Sequence, residues 1–199
     1  AALVGVPAHQ TSISATSADT TPTAVREALH RFSTYCVSHD QDLSALTVFD
    51  AGDVEAPDHA AGVQRVHEKL KEFAEKFVIA LGGDNSITYS VATGMWGSQI
   101  NNAGLITFDA HHDLRDGESN GSPVQRLVEA GLNGRNIVQI GIADFSNSPK
   151  YAQRAKDYGI TVIPRSELRD RSAQSVTAQA LEIAGSNGGP IHVDFDVDV

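Results

Sequence analysis

Short apolar runs alternate along the chain with longer segments in which apolar positions recur every three or four residues. Continuous apolar runs are typical of buried strands, and the wider spacing is typical of helices packed on one face. The pattern predicts strands at residues 3–6, 46–49, 77–81, 104–108, 137–142, 161–163 and 190–196. It predicts helices at residues 22–32, 63–74, from 86 onward, 123–130, 149–158 and 166–184.

This alternation of strand and helix predicts an α/β fold, in which a mostly parallel sheet carries helices on both faces. Strands that are continuously apolar agree with a sheet covered on both sides. The sequence contains no repeat and no linker, so we expect a single domain over residues 1–199. Because the chain starts without methionine and stops in an acidic strand end, we expect that domain to be incomplete at the C-terminus and short at the N-terminus.

Composition narrows the range of partners. The chain has 25 acidic and 15 basic residues and a formal net charge of −10, which disfavours nucleic acid and anionic membrane surfaces. No apolar run approaches the roughly 20 residues that cross a bilayer, and the N-terminus lacks the basic region of a secretory signal. A single cysteine, Cys36, excludes an intramolecular disulfide framework. We therefore expect a cytoplasmic protein.

Candidate functional residues follow three of the predicted strands, and sites in open parallel sheets form beyond the carboxyl ends of strands. The first group, Gly82-Gly83-Asp84-Asn85-Ser86, follows strand 77–81. Its glycines allow a sharp turn, and Asp84 and Ser86 are residues that typically cap a helix. The amide oxygen of Asn85 can serve the same turn or face a pocket.

The second group, Asp109-Ala110-His111-His112-Asp113, follows strand 104–108. Asp109, His111 and Asp113 alternate along an extended strand end and can point into one pocket. Carboxylate oxygen together with imidazole nitrogen suits a divalent ion such as Mn²⁺. An acidic turn with solvated histidines is the alternative, and the position directly after a buried strand favours the metal site. His112 points the other way, so we expect it to pack or to support the site.

The third group lies in the last strand, where His192, Asp194, Asp196 and Asp198 share one face. Aspartates on one face repel one another unless a cation neutralises them. The apolar residues between them predict a buried strand that leads the acids into a cleft, with His192 covered by the fold. The three groups supply more carboxylates than one ion needs, and a pair of cations that activates a bridging water is the natural solution.

These segments resemble the ureohydrolase family, which includes arginase, agmatinase and formimidoylglutamase. The family is marked by Gly-Gly-Asp-His-Ser, then Asp-Ala-His-x-Asp, then Ser-x-Asp-x-Asp-x-x-Asp-Pro, and the three groups occur here in the same order. Residues 3–7 and 25–29 also look like the N-terminal strand and helix of the family. The resemblance covers the whole chain. It implies a three-layer α/β/α, arginase-like fold and a pair of Mn²⁺ ions.

The resemblance also implies the ligands. Asp109 and Asp196 would bridge both ions, Asp113 would bind one ion, and His111 and Asp198 would bind the other. Asp194 takes the place of the usual serine. Asn85 stands where most members have a ligand histidine, and an amide oxygen binds Mn²⁺ more weakly than imidazole does, so one of the two ions would be held weakly.

A second departure concerns substrate. Asn120-Gly121-Ser122-Pro123 stands where arginases and agmatinases have a His-Gly segment, and it makes Asn120 a possible contact on the substrate side. Asn-Gly is also a common turn sequence. Together with Asp116-Gly117, segment 139–142 and Asn147, this segment looks most like the formimidoylglutamase branch. That branch would use a metal-bridging hydroxide to convert N-formimidoyl-L-glutamate and water to L-glutamate and formamide.

Two alternatives remain open. One is a guanidine hydrolase such as an agmatinase, because the residue that selects guanidinium would lie beyond Val199. The other is a non-catalytic member with a role in assembly, which Asn85 favours and the five acid or imidazole ligands disfavour. The resemblance implies a small-molecule substrate and a homo-oligomer, with no nucleic-acid or membrane partner.

Overall fold

A computed structural model describes residues 1–197. The chain divides into two compact units, Ala1–Met95 and a second unit that begins at Trp96. Nine strands and six α-helices occur in the described residues, with 3₁₀ helices between several of them. No helix among residues 1–197 has both the length and the apolar character needed to cross a membrane.

The first unit contains a three-stranded parallel sheet in the order β4-β1-β5. Its strands and helices are β1 Ala2–Val6, α1 Thr21–Leu29, β4 Phe49–Asp53, α2 His59–Lys71, β5 Val78–Gly82 and α3 Ile87–Trp96, with a small antiparallel pair formed by β2 Tyr35–Cys36 and β3 Gln41–Asp42. The central strand β1 is buried along its whole length. Its side chains pack with one face of α2 and with α3 in a core made of Ala2, Val4, Val6, Val54, Val66, Leu70, Phe73 and Val91.

The second unit contains a four-stranded parallel sheet in the order β8-β7-β6-β9. Its elements are β6 Gly104–Phe108, α4 Pro123–Glu129, β7 Ile137–Ile142, α5 Pro149–Tyr158, β8 Thr161–Pro164, α6 Ala173–Ala184 and β9 Ile191–Phe195. The core beneath α6 contains Ile106, Val138, Ile140, Ile163, Val176, Ala180 and Ala184. Because β6 pairs in parallel with both β7 and β9, the carboxyl ends of these three strands lie side by side at one edge of the sheet.

Every strand of the two larger sheets is parallel to its neighbours, as the sequence predicts. The strand predicted at 46–49 lies further along the chain, because β4 begins only at Phe49. Phe49 pairs with Ala2, and its amide donates to the carbonyl of Ala1 at 3.0 Å, so β4 starts where β1 starts. A 3₁₀ turn, Leu43–Ala45, precedes the predicted segment, and the Asp42 side chain accepts from the Ser44 amide there at 2.9 Å.

Two further predictions were wrong in detail. The helix predicted at 166–184 is a 3₁₀ segment, Arg165–Arg169, followed by α6, because the Ser172 hydroxyl accepts from the Ser175 amide at 3.1 Å and starts a new helix there. The last strand is not buried on its apolar face, since Val193 is 43% and Phe195 is 69% exposed. Within residues 1–197, β9 pairs with β6 on one side only, although Phe195 stacks on Phe108 with ring centroids 4.7 Å apart.

Candidate metal centre

The turn that follows β6 places two carboxylates in the interior of the second unit. Asp109 is 1% exposed, its amide donates to the carbonyl of Ile140 at 3.0 Å, and its Oδ1 accepts from the amide of His111 at 2.7 Å. The His111 side chain is 46% exposed, and its Nδ1 lies 3.4 Å from Asp109 Oδ1. Asp109 therefore anchors the turn, and His111 reaches outward beside it.

Asp113 closes this turn in an unusual backbone conformation. Its φ of 53° lies in the left-handed region, which a residue with a side chain adopts only where its surroundings require it. The carbonyl of Asp113 accepts from the amide of Gln125 at 3.1 Å, while its carboxyl group is buried. Backbone strain of this kind occurs most often at functional sites, and here it directs a buried acid.

The last strand brings further acids to the same edge of the sheet. In the β6–β9 register Thr107 pairs with Asp194 and Phe108 with Phe195, and the amide of Asp196 donates to the carbonyl of Phe108 at 2.9 Å. Asp196 therefore continues the pairing at the level of Asp109. Parallel pairing without an offset is what aligns the two acidic strand ends.

These acids interact strongly with one another. The pKa of Asp113 is raised well above its ordinary value, first by burial, then by the charge of Asp109 and a side-chain hydrogen bond with it, and then by the charges of Asp194 and Asp196. The charges of three other aspartates thus act on the buried carboxyl group of Asp113 and disfavour its ionisation. A cation bound among them would remove that repulsion, so the chemistry of this donor set fits a hard or borderline divalent ion.

The described residues do not contain a complete metal site. Among residues 1–197, no three His, Cys, Asp or Glu side chains form a group that could hold a metal ion. The candidate ligand Asp198 lies outside these residues. What the described residues show is an acidic cluster, in which the charges of Asp109, Asp194 and Asp196 act on Asp113, with His111 beside Asp109 at the exposed side.

Asn85 lies in the first unit, in the turn between β5 and α3. Asp84 Oδ1 accepts from the Ser86 amide at 3.0 Å, which is the local turn role expected of Asp84. The amide oxygen of Asn85 accepts from the Thr88 hydroxyl at 3.1 Å. A side chain at Gly83 would place its Cβ 2.1 Å from the carbonyl oxygen of Ala8, so only glycine fits where this turn meets the end of β1.

Asn120 lies in a turn between the acidic cluster and α4. The turn is closed by Ser119 and Ser122, since the Ser119 amide donates to the Ser122 hydroxyl at 2.8 Å and that hydroxyl donates to the Ser119 carbonyl at 2.8 Å. The loop is also held to α5 by Asp116, which lies 2.6 Å from Lys150 and 2.8 Å from Arg154. The Asn-Gly turn signal was therefore read correctly from the sequence.

Of the two remaining histidines of the motifs, His112 is buried and His192 is largely covered, as expected. His112 Nδ1 lies 2.7 Å from Gln139 Oε1, and burial lowers the pKa of His112. His192 meets Trp96 edge to face with ring centroids 6.2 Å apart, and burial lowers its pKa to about 4. The sequence interpretation did not assign Gln139 to the site, although a polar side chain inside the apolar strand Ile137–Ile142 was a signal that could have identified it.

Comparison with known proteins agrees with this geometry. The sequence pattern of the Arginase family matches residues 1–199, and the chain belongs to this family. It is 36% identical to the formimidoylglutamase of Halalkalibacterium halodurans over 99% of this chain and 65% of that protein. It is also 32% identical to the mitochondrial agmatinase of Gallus gallus over 77% of this chain and 47% of that protein. The chain thus spans less than two thirds of the length of these relatives.

Solved structures give the same result. The formimidoylglutamase of Bacillus subtilis superposes with a TM-score of 0.90 at 29% identity, covering 99% of this chain and 64% of that chain. The Trypanosoma cruzi formiminoglutamase with Mn²⁺ superposes with a TM-score of 0.89 at 25% identity, covering 99% of this chain and 69% of that chain. The predicted arginase-like α/β fold is confirmed.

Proposed function

We propose that the protein is a manganese-dependent hydrolase that cleaves a C–N bond of a linear amidine, with N-formimidoyl-L-glutamate as its substrate. Water and substrate would give L-glutamate and formamide, so that oxygen joins the formimidoyl carbon and the leaving nitrogen gains a proton. The observation that carries this proposal is the acidic cluster at adjacent strand ends, in which Asp109 and Asp113 are buried and the charges of Asp194 and Asp196 act on Asp113. Similarity to two formimidoylglutamases over nearly the whole chain supports the choice of substrate.

The donors fit manganese. Asp109, His111, Asp113 and Asp196 would hold the metal together with Asp198, and family resemblance alone names Asn85 as a further, weaker ligand. Two ions per site are expected from the number of carboxylates. When bound, Mn²⁺ supplies Lewis acidity that polarises the C=N group and makes hydroxide available near neutral pH.

The chain's own residues prepare this site before metal enters. Asp109 fixes the backbone of His111, because its carboxylate accepts a hydrogen bond from the His111 amide. The left-handed backbone at Asp113 aims a second carboxyl group into the same region. Asn120, on the turn closed by Ser119 and Ser122, is the proposed contact on the substrate side. Mutual repulsion among the acids opposes a stable metal-free state and favours metal uptake.

A guanidine hydrolase is the second candidate, because the chain is also 32% identical to an agmatinase. The two functions differ in product. An agmatinase-like enzyme releases urea from a guanidinium substrate, whereas the proposed reaction releases formamide. Asn120-Gly121 in place of His-Gly favours the formimidoyl substrate.

The test is a substrate panel with purified protein loaded with Mn²⁺. Formamide and glutamate released from N-formimidoyl-L-glutamate, with no urea from agmatine or arginine, is the expected result. Release of urea from agmatine at the higher kcat/KM would replace the proposal by the guanidine hydrolase. No turnover of any substrate by protein that binds Mn²⁺ would favour a non-catalytic role in assembly.

Three further expectations stay predictions: a single α/β domain, a homo-oligomer and a cytoplasmic location. They rest on composition and on family resemblance. Sedimentation of the purified protein tests the oligomer directly.

A further inference from the structure

A buried glutamine holds the turn that carries the candidate metal ligands. Gln139 lies in the middle of β7 and is 0% exposed. Its Oε1 lies 2.7 Å from Nδ1 of His112, and its Nε2 donates to the carbonyl of the same residue at 2.8 Å. Because the amide nitrogen is engaged by the carbonyl, its oxygen must accept from His112, which assigns the proton to Nδ1.

An asparagine holds the same turn from a second side. Asn147, in the loop that follows β7, accepts from the amide of His112 at 2.9 Å and donates to the carbonyl of Ala110 at 2.9 Å. The carbonyl of Ala110 also accepts from the amide of Ala143 at 3.0 Å. Together, Gln139 and Asn147 bond the amide, the carbonyl and the ring of His112.

We propose that Gln139 and Asn147 are positioning residues, which fix the Asp109–Asp113 turn so that His111 and Asp113 are aimed at the metal. The inference rests on the proposed function, because it needs metal at this turn. His112 lies between those two candidate ligands, so fixing its backbone and ring fixes the direction of both neighbours. Partners of this kind, one step removed from the metal, are known to orient ligands and to tune affinity.

The position of Gln139 in an apolar strand supports this role. Its neighbours along β7 are the buried residues Val138 and Ile140, and an apolar side chain would fill the same space. A buried amide stabilises the fold little in net terms, but it leaves expensive unpaired groups when a partner is lost. Such a residue is therefore better explained by the conformation it specifies than by the stability it adds.

The test compares Gln139→Met with a matched control, Asn136→Leu. Methionine keeps the length of glutamine and removes both hydrogen bonds to His112. Asn136 is also buried, but it directly precedes β7 at the opposite end of the strand, where its Nδ2 donates to the carbonyl of Ala103 at 3.1 Å. Each variant loses one buried amide, and only one of the two lies beside the turn. Asn147→Ala serves as a second variant if Gln139→Met does not fold.

Two quantities are measured for each protein: the Kd for Mn²⁺ by calorimetry, and the thermal unfolding midpoint in chelator. We expect Gln139→Met to weaken Mn²⁺ binding by about 10- to 100-fold, and Asn147→Ala to weaken it in the same direction. Asn136→Leu should lower the unfolding midpoint and leave the Kd unchanged.

The outcomes separate the two claims. Suppose that the unaltered protein binds Mn²⁺ and that Gln139→Met, Asn147→Ala and Asn136→Leu all bind it with the Kd of the unaltered protein. The positioning role is then wrong, while the proposed function stands. An equal loss of affinity in all three variants would also overturn it, because the effect would then follow general stability. If the unaltered protein binds no Mn²⁺, the proposed function itself fails.

Discussion

Asp109 is the residue on which the candidate site depends most. It is buried, it accepts from the amide of His111, and its charge and hydrogen bond are among the causes of the raised pKa of Asp113. A single side chain thus organises the turn and sets the electrostatics of its neighbour.

The first prediction is that Asp109→Asn abolishes Mn²⁺ binding and activity. An amide keeps the oxygen that accepts from His111, so the turn is retained, while one of the repelling charges is removed. We expect affinity to fall by more than about 100-fold, which is the upper range for residues that only support a ligand. Calorimetry measures the affinity. In chelator, the metal-free variant should be at least as stable as the unaltered protein, because a repelling charge has been removed. Full activity of the variant after chelation and reloading with metal would contradict the assignment of Asp109 as a ligand.

The second prediction concerns Asn85. Its amide oxygen accepts from Thr88, and imidazole is a better ligand for Mn²⁺ than an amide. Asn85→His should therefore tighten the more weakly held ion by about tenfold, equivalent to roughly 1.4 kcal/mol. Thr88→Val removes the same hydrogen bond without adding a ligand and is the control. Unchanged affinity at both sites would leave Asn85 with a role in the turn alone.

At the scale of elements, apolar periodicity predicted nearly every helix and strand, because both sheets are parallel and the strands β1, β6 and β7 are buried. It failed where a local polar bond competes with the pattern. Ser172 divides the predicted helix 166–184, and the pairing of Phe49 with Ala2 decides where β4 starts. The short antiparallel pair Tyr35–Cys36 and Gln41–Asp42 has too few residues to show any period.

The third prediction tests the break at Ser172. Its hydroxyl accepts from the amide of Ser175, which is one of the unpaired donors at the start of α6. Ser172→Ala should reduce the free energy of unfolding by about 1 kcal/mol. Chemical denaturation measures the change. Ser175→Ala keeps the backbone amide that donates to Ser172 and should therefore have a smaller effect. An equal loss of stability in both variants would mean that Ser172 is not the cap.

For the candidate site, the sequence predicted the acids and the structure supplied the arrangement. Alternate spacing after a buried strand identified Asp109, His111 and Asp113. The last strand was expected to bring its acids close to them, because the carboxyl ends of parallel strands meet at one edge of a sheet. The in-register pairing of β6 with β9 and the left-handed backbone at Asp113 depend on contacts between distant segments, and no local pattern reveals them. The same holds for Gln139, whose partner His112 comes from another strand end.

For the whole molecule, burial of His192 should make stability depend on pH. Its pKa is lowered to about 4 in the folded state, and the ordinary value is 6.5. A lowered histidine pKa stabilises the fold above pH 6.5, and that contribution is lost as pH falls from 6.5 through 4. The full shift corresponds to about 3 kcal/mol, and the partial exposure of the residue makes this an upper value.

This fourth prediction is checked by unfolding midpoints between pH 8 and pH 4. His192→Phe keeps an aromatic ring against Trp96 and removes the titrating group. The variant should lose less stability than the unaltered protein as the solution is acidified. Parallel pH profiles for the two proteins would show that His192 does not contribute.

If the acidic cluster holds manganese, the ion must lie among its carboxylates, and a crystal structure of the loaded protein shows whether it does. Anomalous diffraction at the manganese absorption edge, from crystals of protein loaded with Mn²⁺, locates the ion without reference to activity. We expect an anomalous peak within bonding distance of the carboxylates of Asp109, Asp113 and Asp196. A metal-loaded crystal with no peak at these residues, or with its peak elsewhere, would contradict it.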